Sequence, residues 1–226
     1  HDVLAFCGDS ASIGDNLHWV TRALQATCAY IVPPPKQDAT FMWVTRPEEG
    51  LLQPCWTVYT DGSMLDGPTP LLRRTGWAFV ALDEVGRVQA SACGVPPAWI
   101  STIFGAETWA VLQAVSHAMG DAILRIDCKA AVDVLLQGRE RAVRPSRLTA
   151  RAWAAVFAAL DGQPPKDLSW VPAHTAAADV GRRRIGNGQL LTLQDQRGNE
   201  AADRLAKEAV DAHRVPADVR RVIGDQ

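Results

Sequence analysis

The stretch Cys55–Ser63, CWTVYTDGS, alternates so that Cys55, Thr57, Tyr59 and Asp61 point one way and Trp56, Val58 and Thr60 the other. A period of two predicts a strand. It ends on a carboxylate, although aspartate packs poorly on a pleated surface and is depleted from strands. Stability alone does not select Asp61, so its charge points to chemistry.

Downstream of it, GWAFVAL (76–82) and RVQASAC (87–93) read as two more strands joined by the turn DEVG, and the short loops make all three antiparallel neighbours. GAETWAVLQAVSHAMG (105–120) carries Ala106, Ala110, Val111, Ala114, Val115 and Ala118 at helical spacing, with Gly120 as a stop. AILRIDC (122–128) is nearly continuous in apolar character, which suits a central parallel strand covered on both faces. KAAVDVLLQG (129–138) and SRLTARAWAAVFAALDG (146–162) predict two helices, the second with Ser146 as N-cap and Gly162 past its end. DLSWVP (167–172) is a fifth strand, and a last helix is expected near GNEAADRLAKEAVDAH (198–213) with Asn199 as N-cap. The expected fold is α/β: a five-stranded mixed sheet with helices packed over it. If its first and fourth strands are parallel neighbours, Asp61 and Asp127 both sit toward carboxyl ends, where such sheets build sites.

Residues 1–53 differ in composition and read as a lead-in segment, with one helix expected over 15–32 before the turn-rich TRPEEGLLQP; residues 54–212 carry the ordered series, and 213–226 a short basic tail. The start HDVLAFCGDS has neither an initiator Met nor a secretory pattern, so a fragment or processed product is expected. The chain of 226 residues, 47% hydrophobic and 21% charged, can bury a sizeable core. No apolar run reaches the roughly 20 residues that cross a bilayer, so no membrane partner is expected. Five scattered cysteines without a CxxC pair suggest neither a disulfide framework nor a zinc site, and an intracellular, reducing setting is expected. A formal charge of -2 denies the simple argument that a basic protein binds nucleic acid, but leaves local patches open.

Four acids need weighing together: Asp61, Glu107, Asp127 and Asp203. Singly, Glu107 and Asp203 are accounted for by the helix dipole, Asp127 by capping and Asp61 by the turn at Gly62. Jointly they are not. Each pair of like charges at about 4 Å repels by about 1 kcal/mol in water and about 4 at an effective dielectric of 20. Such a cluster demands cations or protons, and oxygen ligands without His or Cys suit Mg²⁺ or Mn²⁺, which commonly bridge carboxylates to phosphate oxygens. The implied substrate is a phosphodiester.

TDGS (60–63), AET (106–108), IDC (126–128), WVPAHT (170–175) and GNEAADRLAKEA (198–209) resemble, in order, the motifs of the type 1 ribonuclease H domain. The resemblance implies two Mg²⁺ ions, with Mn²⁺ as substitute, held by Asp61, Glu107, Asp127 and Asp203. It implies His174 as the loop histidine that assists proton transfer or product departure. One ion would activate water for in-line attack and the other stabilise the leaving 3′ oxygen, giving 5′-phosphate and 3′-hydroxyl ends. The substrate would be the RNA strand of an RNA·DNA hybrid, with Gly62, Ser63 and Glu107 meeting the 2′-hydroxyl. A reverse transcriptase domain in the same retroelement polyprotein is the implied partner.

Three stretches depart from the family. STIFGAE keeps Thr102 for a phosphate contact, but Ile103 and Phe104 stand where amide side chains would contact the DNA strand. RERAVRPSRLTAR, with Arg144 and Arg147, lies where some members carry a basic hybrid-binding protrusion, and a solvated Arg-rich connection explains it equally well. The loop AAADVGRRRIGNGQLLTLQDQR after His174 is long: its glycines argue flexibility, Arg182, Arg183 and Arg184 could meet phosphates, and an inert insertion is the favoured reading of its tip. A non-catalytic nucleic-acid-binding or scaffold domain is the alternative, should that loop displace Asp203 or His174.

Overall fold

The computed structural model describes residues 32–120, 123–161, 165 and 167–224. Strand β2, Thr57–Leu65, is the alternating run, and it lies at the middle of the sheet with both faces covered. It pairs antiparallel with β3, Arg74–Leu82, which pairs antiparallel with β4, Val88–Gly94. On its other side it pairs parallel with β5, Ile123–Ile126, and β5 with β6, Asp167–Trp170. The parallel pairing puts Asp61 and Asp127 just past Thr60 and Ile126, which face each other in register.

Among the described residues the sheet has six strands rather than five. The additional one, β1, Met42–Thr45, lies inside the stretch read as lead-in and pairs antiparallel with β4 at the edge. Its four residues are too few for alternation to distinguish from coil. What holds it is tertiary: Phe41 stacks on His117 at 4.5 Å, and Trp43 meets Phe79 edge-on at 5.7 Å. The helix expected over 15–32 falls, but for Val32, outside the described residues.

Helices α1, Ile103–Ser116, α2, Lys129–Gln137, and α4, Ala150–Ala159, bury their apolar sides with Val58, Trp77 and Phe79 in one core. A short α3, Arg139–Ala142, interrupts the arginine-rich connection. The opposite core holds Tyr59, Ala78 and Val80 against Ala202, Leu205 and Ala206 of α5, Leu193–Asp211. Residues 35–214, which include every element from β1 to α5, form one compact unit; α6, Ala217–Gly224, lies outside it and occupies what was expected to be tail. No helix among the described residues is long and apolar enough to cross a membrane.

Two helix starts differ from expectation. Helix α4 begins at Ala150 after Thr149, not at Ser146, because Arg144 to Thr149 are taken up by turns. Helix α5 begins at Leu193, well before Asn199. Thr192 caps it: its hydroxyl accepts from the Asp195 N–H at 3.0 Å, while the Asp195 carboxylate accepts from the Thr192 N–H at 3.0 Å. Asn199 is therefore an interior helix residue rather than a cap.

Candidate metal centre

Asp61, Glu107 and Asp127 reach the same point from β2, α1 and the end of β5, with one oxygen of each within 4.8 Å of the others. The close approach has a local cause. At Gly62 an added Cβ would run into the backbone nitrogen of Glu107, so only glycine lets α1 descend onto β2 here. Thr102 sets where α1 starts, its hydroxyl accepting from the Gly105 N–H at 3.0 Å.

Asp61 and Glu107 are buried, 5% and 7% exposed, and among the described residues the one cation lining their cleft, Lys207, pairs with Asp203 rather than with any of the three. Burial, then the charges of Asp127 and Asp203, push the Asp61 carboxyl up to about 8. Burial, then Asp127 and Asp61, push Glu107 well above its ordinary range. Asp127 is raised by burial, and donation from Asn199 pulls it partly back. Oxygen Oε2 of Glu107 and Oδ1 of Asn199 are buried without a partner among the described residues. Three hard oxygen donors, an orphaned carboxylate oxygen and no His or Cys among the three fit a hard divalent cation of the Mg²⁺ or Mn²⁺ kind.

Asp203 stands outside the 4.8 Å group but lines the same cleft of about 500 Å³. Lys207, one turn on, holds its carboxylate at 2.8 Å. Gly62, Ser63 and His174 line that cleft too, so the long loop leaves Asp203 and His174 beside the acids. His174 has a left-handed backbone, φ 49°, and also lines an adjoining cleft of about 300 Å³ with Asp127, Asn199 and Asp203. Arg144 is exposed in the connection before α4, and Arg147 is tied to the Arg141 carbonyl at 3.1 Å. Neither lines the acid clefts, nor does Arg183, which sits in the loop 4.0 Å from Asp179.

Sequence reading missed two residues. Asn199 donates to Asp127 Oδ2 at 3.3 Å, and its signal was hidden by its assignment as a cap. Lys207 is legible as the i+4 partner of Asp203. The placement of α5 rests on a buried polar network: Tyr59 donates to Asp195 Oδ1 at 3.1 Å, and Arg125 Nε lies 3.9 Å from the same oxygen. Arg125 also pairs with Asp167 at 2.7 Å.

No family model and no curated protein matches the sequence. Solved structures do resemble it. LC9-RNase H1, described as a type 1 RNase H with the type 2 active-site motif, aligns at 17% identity and TM-score 0.52, over 73% of this chain and 76% of its own. The native protease-reverse transcriptase of prototype foamy virus aligns at 17% identity and TM-score 0.52, over 74% of this chain and 22% of its own. A foamy viral protease-reverse transcriptase in complex with an RNA/DNA hybrid aligns at 15% identity and TM-score 0.50, over 69% of this chain and 20% of its own. The present chain thus spans about a fifth of those viral proteins.

Proposed function

From a chain with the ribonuclease H-like fold we infer an endonuclease that hydrolyses the RNA strand of RNA·DNA hybrids, leaving 5′-phosphate and 3′-hydroxyl ends. The observation that carries this reading is the convergence of Asp61, Glu107 and Asp127 within 4.8 Å, the first two buried and the third half-buried, with no ion pair to any of them among the described residues. Asp61, Glu107 and Asp127, with Asp203 across the cleft, would hold two Mg²⁺ ions, or Mn²⁺ in their place. Bound there, such ions supply charge neutralisation at the scissile phosphate and an acidified water.

The chain's own groups do the rest. Asn199 holds one oxygen of Asp127 and so orients that carboxylate. Lys207 restrains Asp203 in the same way. His174, facing Asp127 and Asp203 from its loop, is positioned to carry a proton to or from the leaving oxygen. The backbone at Gly62 and Ser63, beside Glu107, meets the ribose 2′-hydroxyl, the group by which RNA differs from DNA. Thr102 offers its hydroxyl hydrogen to a phosphate while its oxygen caps α1, and exposed Arg144 meets backbone further out, with Arg147 beside it. A reverse transcriptase domain in the same polyprotein is the inferred partner, in keeping with the foamy viral likeness.

The test is cleavage of a labelled RNA·DNA hybrid with Mg²⁺. The parent should release RNA fragments, and Asp61→Asn or Asp127→Asn should not. Equal cutting by either variant refutes the assignment, and saturable hybrid binding without any cutting turns it into a non-catalytic binding domain.

A further inference from the structure

We propose that the loop 181–191 is a preformed arm that grips the phosphate backbone of the duplex through Arg182 and Arg184; this rests on the hybrid-nuclease reading above. The loop expected to be flexible is a hairpin. Gly181 donates to the Leu191 carbonyl at 2.9 Å, Leu191 to Arg183 at 2.8 Å and Ile185 to Gln189 at 2.9 Å, with Arg184 bridged to Leu190. Ile185 and Leu191 turn inward and pack with Val171 in a small core of their own.

The hairpin is also docked on the sheet. The Gly186 N–H donates to the Trp170 carbonyl at 2.7 Å, and the Asn187 N–H to Ser169 Oγ at 3.1 Å, so the last residues of β6 are gripped from outside. A Cβ at Gly186 would lie 2.8 Å from the Trp170 nitrogen, and that contact needs glycine. Trp170 in turn donates from its ring Nε1 to the Asp127 carbonyl at 2.9 Å. One side chain therefore separates the hairpin from the backbone of an acid in the candidate centre, and both lie at the same end of the sheet.

From this platform three guanidinium groups project into solvent. Arg183 is 4.0 Å from Asp179, and Arg184 donates to the Gly188 carbonyl of its own hairpin. Among the described residues, the Arg182 side chain has no hydrogen bond and no ion pair. Three cations held against one acid, in a chain of net charge -2, form a patch whose complement is a polyanion. Because hydrogen bonds and a buried core already order the arm, little conformational entropy is lost when it meets phosphates.

The experiment measures hybrid affinity in chelator as a function of salt, using the full chain and a fluorescent RNA·DNA hybrid longer than one helical turn. Neutralising two phosphate contacts contributes about 1.8 to the slope of log affinity against log salt, so Arg182→Ala with Arg184→Ala should flatten the slope by about that much. Between about 50 and about 200 mM salt, that variant should lose about tenfold less affinity than the parent. Arg182→Lys with Arg184→Lys should retain the parental slope. Gly186→Ala, which changes no charge but lifts the hairpin from β6, should flatten it. Thermal melts establish that each variant is folded. A folded double-alanine variant with the parental slope overturns the arm, and if the parent binds and cuts hybrid in that preparation the nuclease reading stands. A parent that neither binds nor cuts hybrid removes both.

Discussion

Asp61 and Gly62 are neighbours with opposite burdens: one brings a charge into a buried place, and the other makes the place narrow enough to matter. Without divalent ions, Asp61 holds its proton up to about pH 8 in the folded chain, against an ordinary value of 3.8. The folded state therefore binds a proton that the unfolded state releases, a contribution complete below about pH 4 and lost as pH rises toward 8. Glu107 and Asp127 share these protons, so the loss belongs to the cluster. In chelator, the melting temperature of Asp61→Asn should gain on the parent steadily across that window, and Mg²⁺ should close the gap from the parent's side. Parallel melting curves for the two chains at every pH would exclude the repulsion. Gly62→Ala meets backbone rather than a yielding side chain, so overpacking should cost roughly 1–3 kcal/mol in a denaturant melt and abolish hybrid cleavage.

Helix α5 is the element on which the site depends, and its N-terminal turn is where it is held. Tyr59, two residues before Asp61, bonds to Asp195, and its ring lies where a Cβ on Gly198 would be, so strand and helix touch directly before Asn199 reaches Asp127. Tyr59→Phe removes a buried hydrogen bond to a carboxylate and should cost roughly 1.5–3 kcal/mol. Asp195→Ala should cost more, because it also frees the Thr192 N–H and leaves Arg125 without its second acid. Urea melts of the two variants order these effects, and equal losses would show that the cap and the arginine contribute nothing. The cap was legible as TLQD, a Thr with an acid three residues on, immediately before the amphipathic run. The family-like GNEAAD drew the boundary later, where an asparagine also fits a cap.

For the molecule as a whole, the edge strand decides where the domain starts. Phe41 and Trp43 cover Phe79 and His117, and β1 occupies the hydrogen-bonding edge of β4. A chain begun at residue 54 would uncover both, so it should melt at lower temperature and aggregate more readily than one begun at residue 35. Equal midpoints and equal sedimentation for the two chains would make β1 dispensable.

The sequence by itself determined the order of strands and helices from β2 to α5, the short α3 excepted, and the acids worth suspecting. Each of these is written in local periodicity or in a residue type that its element disfavours, and local signals survive without coordinates. Only the tertiary structure decided that three of the four acids share one point while Asp203 leans on Lys207. It alone also showed that Asn199 serves Asp127, that β1 completes the sheet and that the long loop is a docked hairpin. Those outcomes depend on contacts between residues far apart in the chain, such as Gly186 against Trp170 or Tyr59 against Asp195, whose energies no short window of sequence contains.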